Sequence, residues 1–160
     1  MSEIVIVSGH PRSGSRTTKL AAEVGSRFAA REGHGSPAVV DVAELGARVF
    51  RADDRRTRRA LTTIQDASVL IVASPTLQGS YSGMLKVLFE QLPPNGLAGV
   101  VAIPVVTAGS QEQADITEAF LARLLRELGA DVVDFGLTAI GPELSDLRAV
   151  ADQYTAAIAA

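Results

Sequence analysis

Short apolar runs alternate along the chain with stretches in which apolar residues recur every three or four positions. Runs without polar alternation, rich in Val and Ile, are typical of strands buried on both faces of a parallel sheet. Recurrence at three and four positions is typical of amphipathic helices. The strands are predicted at 4–7, 38–42, 69–73, 100–106 and within 131–140. The helices are predicted over 20–28, from the polar stretch 48–59 to Gln65, and over 84–89, 116–128 and 144–158.

This strict alternation predicts an α/β three-layer sandwich: a five-stranded parallel sheet in the order 2-1-3-4-5 with helices on both faces. The third strand is expected to stop at Ser74-Pro75, because proline has no N–H for the strand ladder. The 160 residues contain no repeat or linker, so 1–160 is expected to be a single domain. In this topology ligands bind beyond the carboxyl ends of the central strands, which are followed here by three loops of interest.

Composition removes several classes of function. The chain has no cysteine, which excludes disulfide scaffolds, thiol catalysis and cysteine metal sites, and no metal is expected. A formal net charge of -3 argues against general attraction to nucleic acid or to an acidic membrane. No basic leader precedes the first strand and no apolar run approaches a membrane span. A cytoplasmic location is therefore expected.

The loop after the first strand has the chemistry of an anion site. Hydroxyls, glycines and two arginines precede a helix N-terminus, where unpaired N–H groups and the helix dipole favour a phosphate. Gly9 and Gly14 have the P-loop separation, but Ser15 stands where that motif needs lysine. A terminal monophosphate therefore fits better than a pyrophosphate. The alternative is an ordinary helix cap made by Ser15 or Thr17, with His10 as polar filling.

Two further loops fall on the same predicted edge. Residues 74–83 form a long Gly- and Ser-rich connection, which is expected to leave backbone amides free to face a flat heteroaromatic ring. Residues 107–111 form another turn of small residues after the fourth strand. Three donor-rich loops on one edge predict a shared binding site.

The residues of these loops match a known pattern. Gly9-x-Pro11-Arg12-x-x-Ser15-Arg16-Thr17-Thr18 is followed by Ser74-Pro75, then by Tyr81-Ser82-Gly83-x-Leu85-Lys86, and later by Thr107-x-Gly109-Ser110. Over nearly the whole chain this resembles the NADPH-dependent FMN reductase family, especially the reductases that supply reduced FMN to two-component alkanesulfonate monooxygenases. The resemblance implies a flavodoxin-like fold and hydride transfer from NADPH or NADH to FMN.

The resemblance also implies roles for single residues. The FMN phosphate would be held by Arg12, Ser15, Arg16, Thr17 and Thr18. Gly9 and His10 of the same loop are also expected to bind the cofactor, His10 at the phosphate or at the flavin edge. The ring and ribityl chain would be lined by Pro75, Thr76, Leu77, Gln78, Gly79 and Ser80, with Thr107, Gly109 and Ser110 on the far side. Tyr81 would sit at a π-bulge close to the flavin and a subunit interface, tuning flavin retention. A homodimer or homotetramer, and a flavin-dependent monooxygenase as partner, are implied; no catalytic side chain is, because the flavin carries the chemistry.

Departures from the family pattern leave alternatives open. His10 replaces a serine usual in the phosphate loop, and Leu77 replaces a usual aromatic residue. One alternative is a reductase with tightly held FMN acting on quinones, azo dyes or chromate. Another is a flavodoxin-type electron carrier, although such carriers are strongly acidic and aromatic residues are only 4% here. The arginines of 51–59 fit either a 2′-phosphate of NADPH or a solvated helix face.

Overall fold

The computed structural model describes residues 3–159, and these form one parallel sheet with helices on both faces. The strands are β1 (Ile4–Ser8), β2 (Ala38–Asp41), β3 (Val69–Pro75), β4 (Val101–Ala108), β5 (Asp131–Val132) and β6 (Leu137–Ile140). The helices are α1 (Arg16–Glu32), α2 (Val42–Leu45), α3 (Arg55–Gln65), α4 (Gly83–Glu90), α5 (Gln111–Glu127) and α6 (Leu147–Ala159), with 3₁₀ helices at Gly46–Phe50 and Gly141–Ser145. The sheet order is β2-β1-β3-β4-β5, with β6 also pairing with β4, which confirms the predicted topology.

The core lies in two apolar layers, one on each face of the sheet. Successive side chains of a strand point to opposite faces, so Ile4 and Ile6 of β1 belong to the layer that includes α1 and α6, whereas Val5 and Val7 belong to the layer that includes α3, α4 and α5. Both sets are almost fully buried, which explains why these strands are apolar throughout rather than alternating.

The third strand runs further than predicted. It continues through Ser74 and Pro75, and Pro75 pairs in register with Thr107 of β4. The Ala73 carbonyl accepts from the Gly9 N–H on the β1 side, so position 75, two residues on, faces that same side. Because β1 has already ended at Ser8, the missing proline N–H has no ladder partner to lose.

The fifth predicted strand is divided into β5 and β6. Val133 N–H donates to the Ala102 carbonyl of β4, so Pro104 faces the same neighbour but has no N–H to offer it. Pairing resumes only at Leu137, opposite Val105. The proline inside β4 therefore accounts for the interruption of the strand beside it.

Other differences concern the segment after β2. The sequence predicted a loop opening at Arg48, whereas α2 and a 3₁₀ helix occupy 42–50. Asp41 caps α2 by accepting from the Ala43 N–H at 3.0 Å.

Among the described residues, no helix is both long and apolar enough to cross a bilayer.

Candidate functional site

Three helices begin along one edge of the sheet, at the carboxyl ends of its central strands. These are α1 after β1, α4 after β3 and α5 after β4. Each has a serine N-cap: Ser15, Ser82 and Ser110 accept from the amides of Thr18, Leu85 and Gln113. The first-turn amides of all three helices thus point to this edge, hereafter the rim. The capping role considered for Ser15 is correct.

Hydroxyls of residues 8–18, hereafter the first segment, form a small connected group. Ser8 Oγ lies 2.6 Å from Thr18 Oγ1, which lies 3.0 Å from Ser15 Oγ. Arg12 and Arg16 are exposed beside this group. A phosphate at this position would meet two exposed guanidinium groups, several hydroxyls and the α1 amides, all of them suited to an anion.

Thr17 does not join that group. It is only 4% exposed, and its hydroxyl lies 2.8 Å from Thr107 Oγ1 at the end of β4. The sequence placed both residues on the ligand, but in the described structure each hydroxyl is paired with the other. The helical turn explains this, since adjacent residues of α1 project about 100° apart and Thr17 faces the sheet.

The segment after β3 is a tight turn rather than an open loop. Leu77 and Ser80 form an antiparallel bridge with N–H···O distances of 2.8 and 3.1 Å. The two residues between them, Gln78 and Gly79, have φ of 52° and 78°, as in a type I′ hairpin turn. The amides of Leu77 and Ser80 were expected to be free for a ring, and instead they pair with this turn. The exposed Gln78 and Gly79 form its tip.

Hydrogen bonds fasten the turn to its neighbours. Thr76 N–H donates to the Thr107 carbonyl at 2.9 Å, and Thr76 Oγ1 donates to Thr117 Oγ1 of α5 at 3.0 Å. Buried Ser74 accepts from the Ser82 N–H at 2.9 Å, which ties the far end of the turn back to β3. Thr107 therefore contacts both Thr17 of α1 and the turn after β3.

Tyr81 lies outside the helix, which corrects the expected π-bulge. Ser82 has extended backbone angles and caps α4, so the helix begins only at Gly83. Partly buried Tyr81 lines a surface groove of about 360 Å³ between α4 and α5, together with Phe120 and Leu124. Lys86, Arg123 and Glu127 complete its polar wall.

The remaining predicted residues lie on the same rim. Gly9 is buried and closely packed: an added Cβ would come within 2.9 Å of Leu85 Cβ on α4. Pro75 is buried at the end of β3, whereas Leu77 is 42% exposed. Gly109 and Ser110 are exposed at the turn into α5.

His10 is held by its own loop. Its Nδ1 accepts from the Arg12 N–H at 3.0 Å, and its own N–H donates to Ser8 Oγ at 3.4 Å. Burial, and then the neighbouring Arg12 guanidinium, lower the pKa of His10, while Asp41 at the end of β2 acts in the opposite direction. Its ring therefore favours the neutral state.

Sequence reasoning missed three residues that organise the rim: Ser8, Ser74 and Thr117. All are fully buried. The available signal was a hydroxyl residue ending an apolar strand, for Ser8 and Ser74, and one on the apolar stripe of α5, for Thr117. No buried side-chain polar atom in the described part of the chain lacks a hydrogen-bond partner, so the rim is satisfied by its own hydroxyls.

The rim has a cationic part and an uncharged part, and this combination fits FMN. The first segment is cationic and hydroxyl-rich, which suits a phosphate monoester. The turn at 76–80 and the segment 107–110 carry no charged residue, and an added Cβ would meet nothing within 4 Å at Gly79 or Gly109. Uncharged, open backbone suits a polar but neutral ring system.

Comparison with known proteins extends this picture. Residues 2–142 match the protein-family model described as NADPH-dependent FMN reductase. The chain is 31% identical over 141 residues to the NADH-dependent FMN reductase SfnF of Pseudomonas putida, which covers 85% of this chain and 76% of that protein. It is 29% identical over 151 residues to an FMN reductase (NADPH) of Escherichia coli K12, covering 89% and 75%.

A solved structure shows the same architecture. The apo form of the NADH:FMN oxidoreductase EMOB superposes with a TM-score of 0.81 at 27% identity, covering 98% of this chain and 90% of that one. The similarity therefore extends over the strands, the rim and the final helix together.

Proposed function

Because the chain belongs to the NADPH-dependent FMN reductase family, we propose that its rim binds FMN and presents it to a nicotinamide nucleotide. Family membership confirms the enzyme class, oxidoreductase, and the cofactors, FMN and NAD(P)H, that the sequence predicted. The position of the flavin on this chain and the roles of its residues are the proposal, with 1–160 taken as a single FMN-binding domain in the cytoplasm.

One observation supports the site more than any other: Thr107 joins the three segments of the rim. Its hydroxyl lies 2.8 Å from that of Thr17 on α1, and its carbonyl accepts from Thr76 of the turn after β3. A cationic segment and a neutral turn are thereby held at adjacent positions. A ligand with a dianionic tail and an uncharged ring could contact both.

The phosphate is assigned to the first segment. Its ligands are Arg12, Ser15, Arg16 and Thr18, through amides, hydroxyls and guanidinium groups. Gly9 and His10, whose N–H groups donate to Ala73 and Ser8, shape the loop that carries them. Thr17 and Thr107 act through the bond between them, which sets the distance between α1 and β4. The ring is assigned to Pro75, Thr76, Leu77, Gln78, Gly79, Ser80 and Tyr81, with Gly109 and Ser110 on the far side.

The chain has a positioning role in the reaction. FMN, when bound, supplies a ring that accepts hydride from the reduced nicotinamide. The first segment anchors the phosphate, and the turn fixes the ring edge by shape rather than by charge. No proton has to be held by a side chain during hydride transfer, which agrees with the absence of carboxylates from 74–83 and 107–111.

The deciding experiment is oxidation of NADPH and of NADH, followed at 340 nm as absorbance, with and without added FMN. Oxidation that requires added FMN is the expected result, since the turn assigned to the ring is exposed at its tip and Tyr81 is the single aromatic residue of 75–81. Oxidation from pre-bound flavin, with quinone or azo-dye turnover, would indicate the quinone-type reductase. No oxidation of either nucleotide, with FMN bound, would indicate an electron carrier.

We further propose that the chain is a homo-oligomer in contact through α5. Ile116 and Phe120 on that helix are 45% and 47% exposed, and Phe120 also lines the groove that contains Tyr81. Large apolar side chains clustered at a surface are typical of subunit contacts. The reduced flavin would pass to a flavin-dependent monooxygenase.

Phe120→Glu tests the assembly. We expect it to lower the molar mass in sedimentation equilibrium, because a carboxylate would be buried in the contact. Phe50→Glu is the matched control, since Phe50 is 68% exposed elsewhere on the surface. Tyr81→Ala should additionally alter how much flavin survives gel filtration. An unchanged mass for Phe120→Glu would refute the α5 contact.

A further inference from the structure

His10 stands where the backbone of the first segment meets its hydroxyl group. Its Nδ1 accepts from the Arg12 N–H at 3.0 Å, and its N–H donates to Ser8 Oγ. Ser8 Oγ in turn lies 2.6 Å from Thr18 Oγ1. One imidazole therefore connects the turn that carries Arg12 to the first turn of α1.

The hydrogen bond from Arg12 requires one protonation state of His10. Nδ1 can accept only with its lone pair free, so this bond is made by a neutral ring with its proton on Nε2. Protonation would turn Nδ1 into a donor facing the Arg12 N–H, and the bond would be lost. The turn at 10–12 would then lose the contact that sets the direction of Arg12.

We propose that His10 is a positioning residue for the FMN phosphate, which acts by holding the Arg12 backbone while its imidazole is neutral and releases it on protonation. This inference rests on the proposed function. The complex with FMN favours the neutral ring. FMN affinity should therefore fall as the pH drops through the pKa that His10 has in the FMN-free protein.

The groups around the ring act on its pKa in both directions, and the net direction is downward. Among the described residues, burial is the largest influence and the Arg12 guanidinium follows it, both against protonation, whereas Asp41 at the end of β2 acts in favour of protonation. Bound phosphate would favour a cation, but Arg12 and Arg16 already supply two positive charges for a dianion. The proposal therefore requires that a third positive charge adds less to phosphate binding than the loop loses with its acceptor, and the pH profile tests this.

Two variants separate this role from simple packing. In His10→Asn the amide oxygen can accept from the amide two residues on, as in an Asx turn, and it does not titrate. His10→Ala has no acceptor. At about pH 8 we expect FMN affinity to be retained in His10→Asn and about threefold to tenfold weaker in His10→Ala, the usual effect of one hydrogen bond.

The FMN phosphate itself takes up a proton near pH 6, which changes the affinity of the wild type and of every variant alike. To cancel this effect, the dissociation constant of the wild type is divided by that of His10→Asn at each pH. The ratio should be about one at pH 8 and rise at least about threefold towards pH 5. His34→Asn is the control, because His34 lies beyond the end of α1 near Glu3 and Glu32 and should leave the ratio unchanged.

Each outcome decides between hypotheses. A flat ratio, or one that falls at low pH because His10⁺ attracts the phosphate, would overturn the inference. Nitrogen NMR of the FMN-free protein should show the Nε2–H tautomer for His10, and the Nδ1–H tautomer would overturn it independently. Absence of FMN binding by the wild type at every pH would instead refute the proposed function, and this inference with it.

Discussion

From the end of β1 to the first turn of α1 the chain carries two exposed arginines and a connected group of hydroxyls, whereas residues 76–82, between β3 and α4, carry no charge at all. The first segment keeps its groups adjustable: guanidinium side chains are exposed and hydroxyls bond to one another. The second is fixed, because a two-residue turn with positive φ closes its amides on themselves. Neighbouring connections thus differ in both charge and stiffness.

The difference suits two parts of one ligand. A dianion is recognised by charge and by donors that can rearrange around three oxygens. A flat, uncharged ring is recognised by shape, and a stiff turn loses little entropy when it contacts one. Substitutions in each connection should therefore weaken flavin binding in different ways, and riboflavin, which has the ring without the phosphate, will distinguish them.

The largest difference between the effects on FMN and on riboflavin affinity is expected for Arg12→Ala combined with Arg16→Ala. Loss of two charge-assisted contacts should weaken FMN binding about tenfold or more while riboflavin binding is unchanged. Flavin fluorescence quenching measures both affinities. Arg31→Ala with Arg126→Ala is the matched control, because it removes the same charge from the last turns of α1 and α5, at the opposite edge of the sheet. Unchanged FMN affinity would remove the first segment from the site.

The next largest effect is expected from loss of the hydrogen bond between Thr17 and Thr107, which connects the two segments. Thr17→Val leaves the buried hydroxyl of Thr107 without its partner and should lower the free energy of unfolding by about 1–3 kcal/mol. Adding Thr107→Val should restore most of that loss, because two apolar groups replace the pair. Urea unfolding measures both variants.

Thr62→Val serves as the control for the threonine pair, since Thr62 is exposed on α3. An equal loss of stability in Thr62→Val, or no recovery in the double variant, would show that the Thr17–Thr107 bond does not hold the rim together. FMN affinity should follow the same order, lowest in the single variant.

The same contrast explains what the sequence could predict. Apolar runs such as Ile4–Val7 and Val69–Ala73 are local signals of buried strands, and together with their strict alternation with helices they sufficed for the sheet order. The first segment was also identifiable as an anion site, because charge and hydroxyl content are written directly in the composition. Its capping serine was anticipated as well.

Features that depend on a neighbouring strand or on one backbone angle were not predictable. The division of the fifth strand follows from Pro104 on the strand beside it, and the extension of β3 through Pro75 follows from where β1 ends. The turn at Gln78-Gly79 lacks the Asn-Gly signature of type I′ turns, so its amides were expected to be free. Thr17 pairs with a residue 90 positions away, which no local pattern contains.

The smallest but most specific effect should come from Gly79→Ala. Gly79 has φ of 78°, and an added Cβ there would meet nothing within 4 Å, so the variant acts only through backbone strain of about 1 kcal/mol. Gly99→Ala is the matched control, with φ of 83°, equally open space and a position before β4, at the other end of the strand. Both variants should lose similar stability. Only Gly79→Ala should weaken flavin binding, by about fivefold or less, and equally for FMN and riboflavin, because the turn contacts the ring and not the phosphate. A loss confined to FMN would place the phosphate on the turn and reverse the assignment of the two connections.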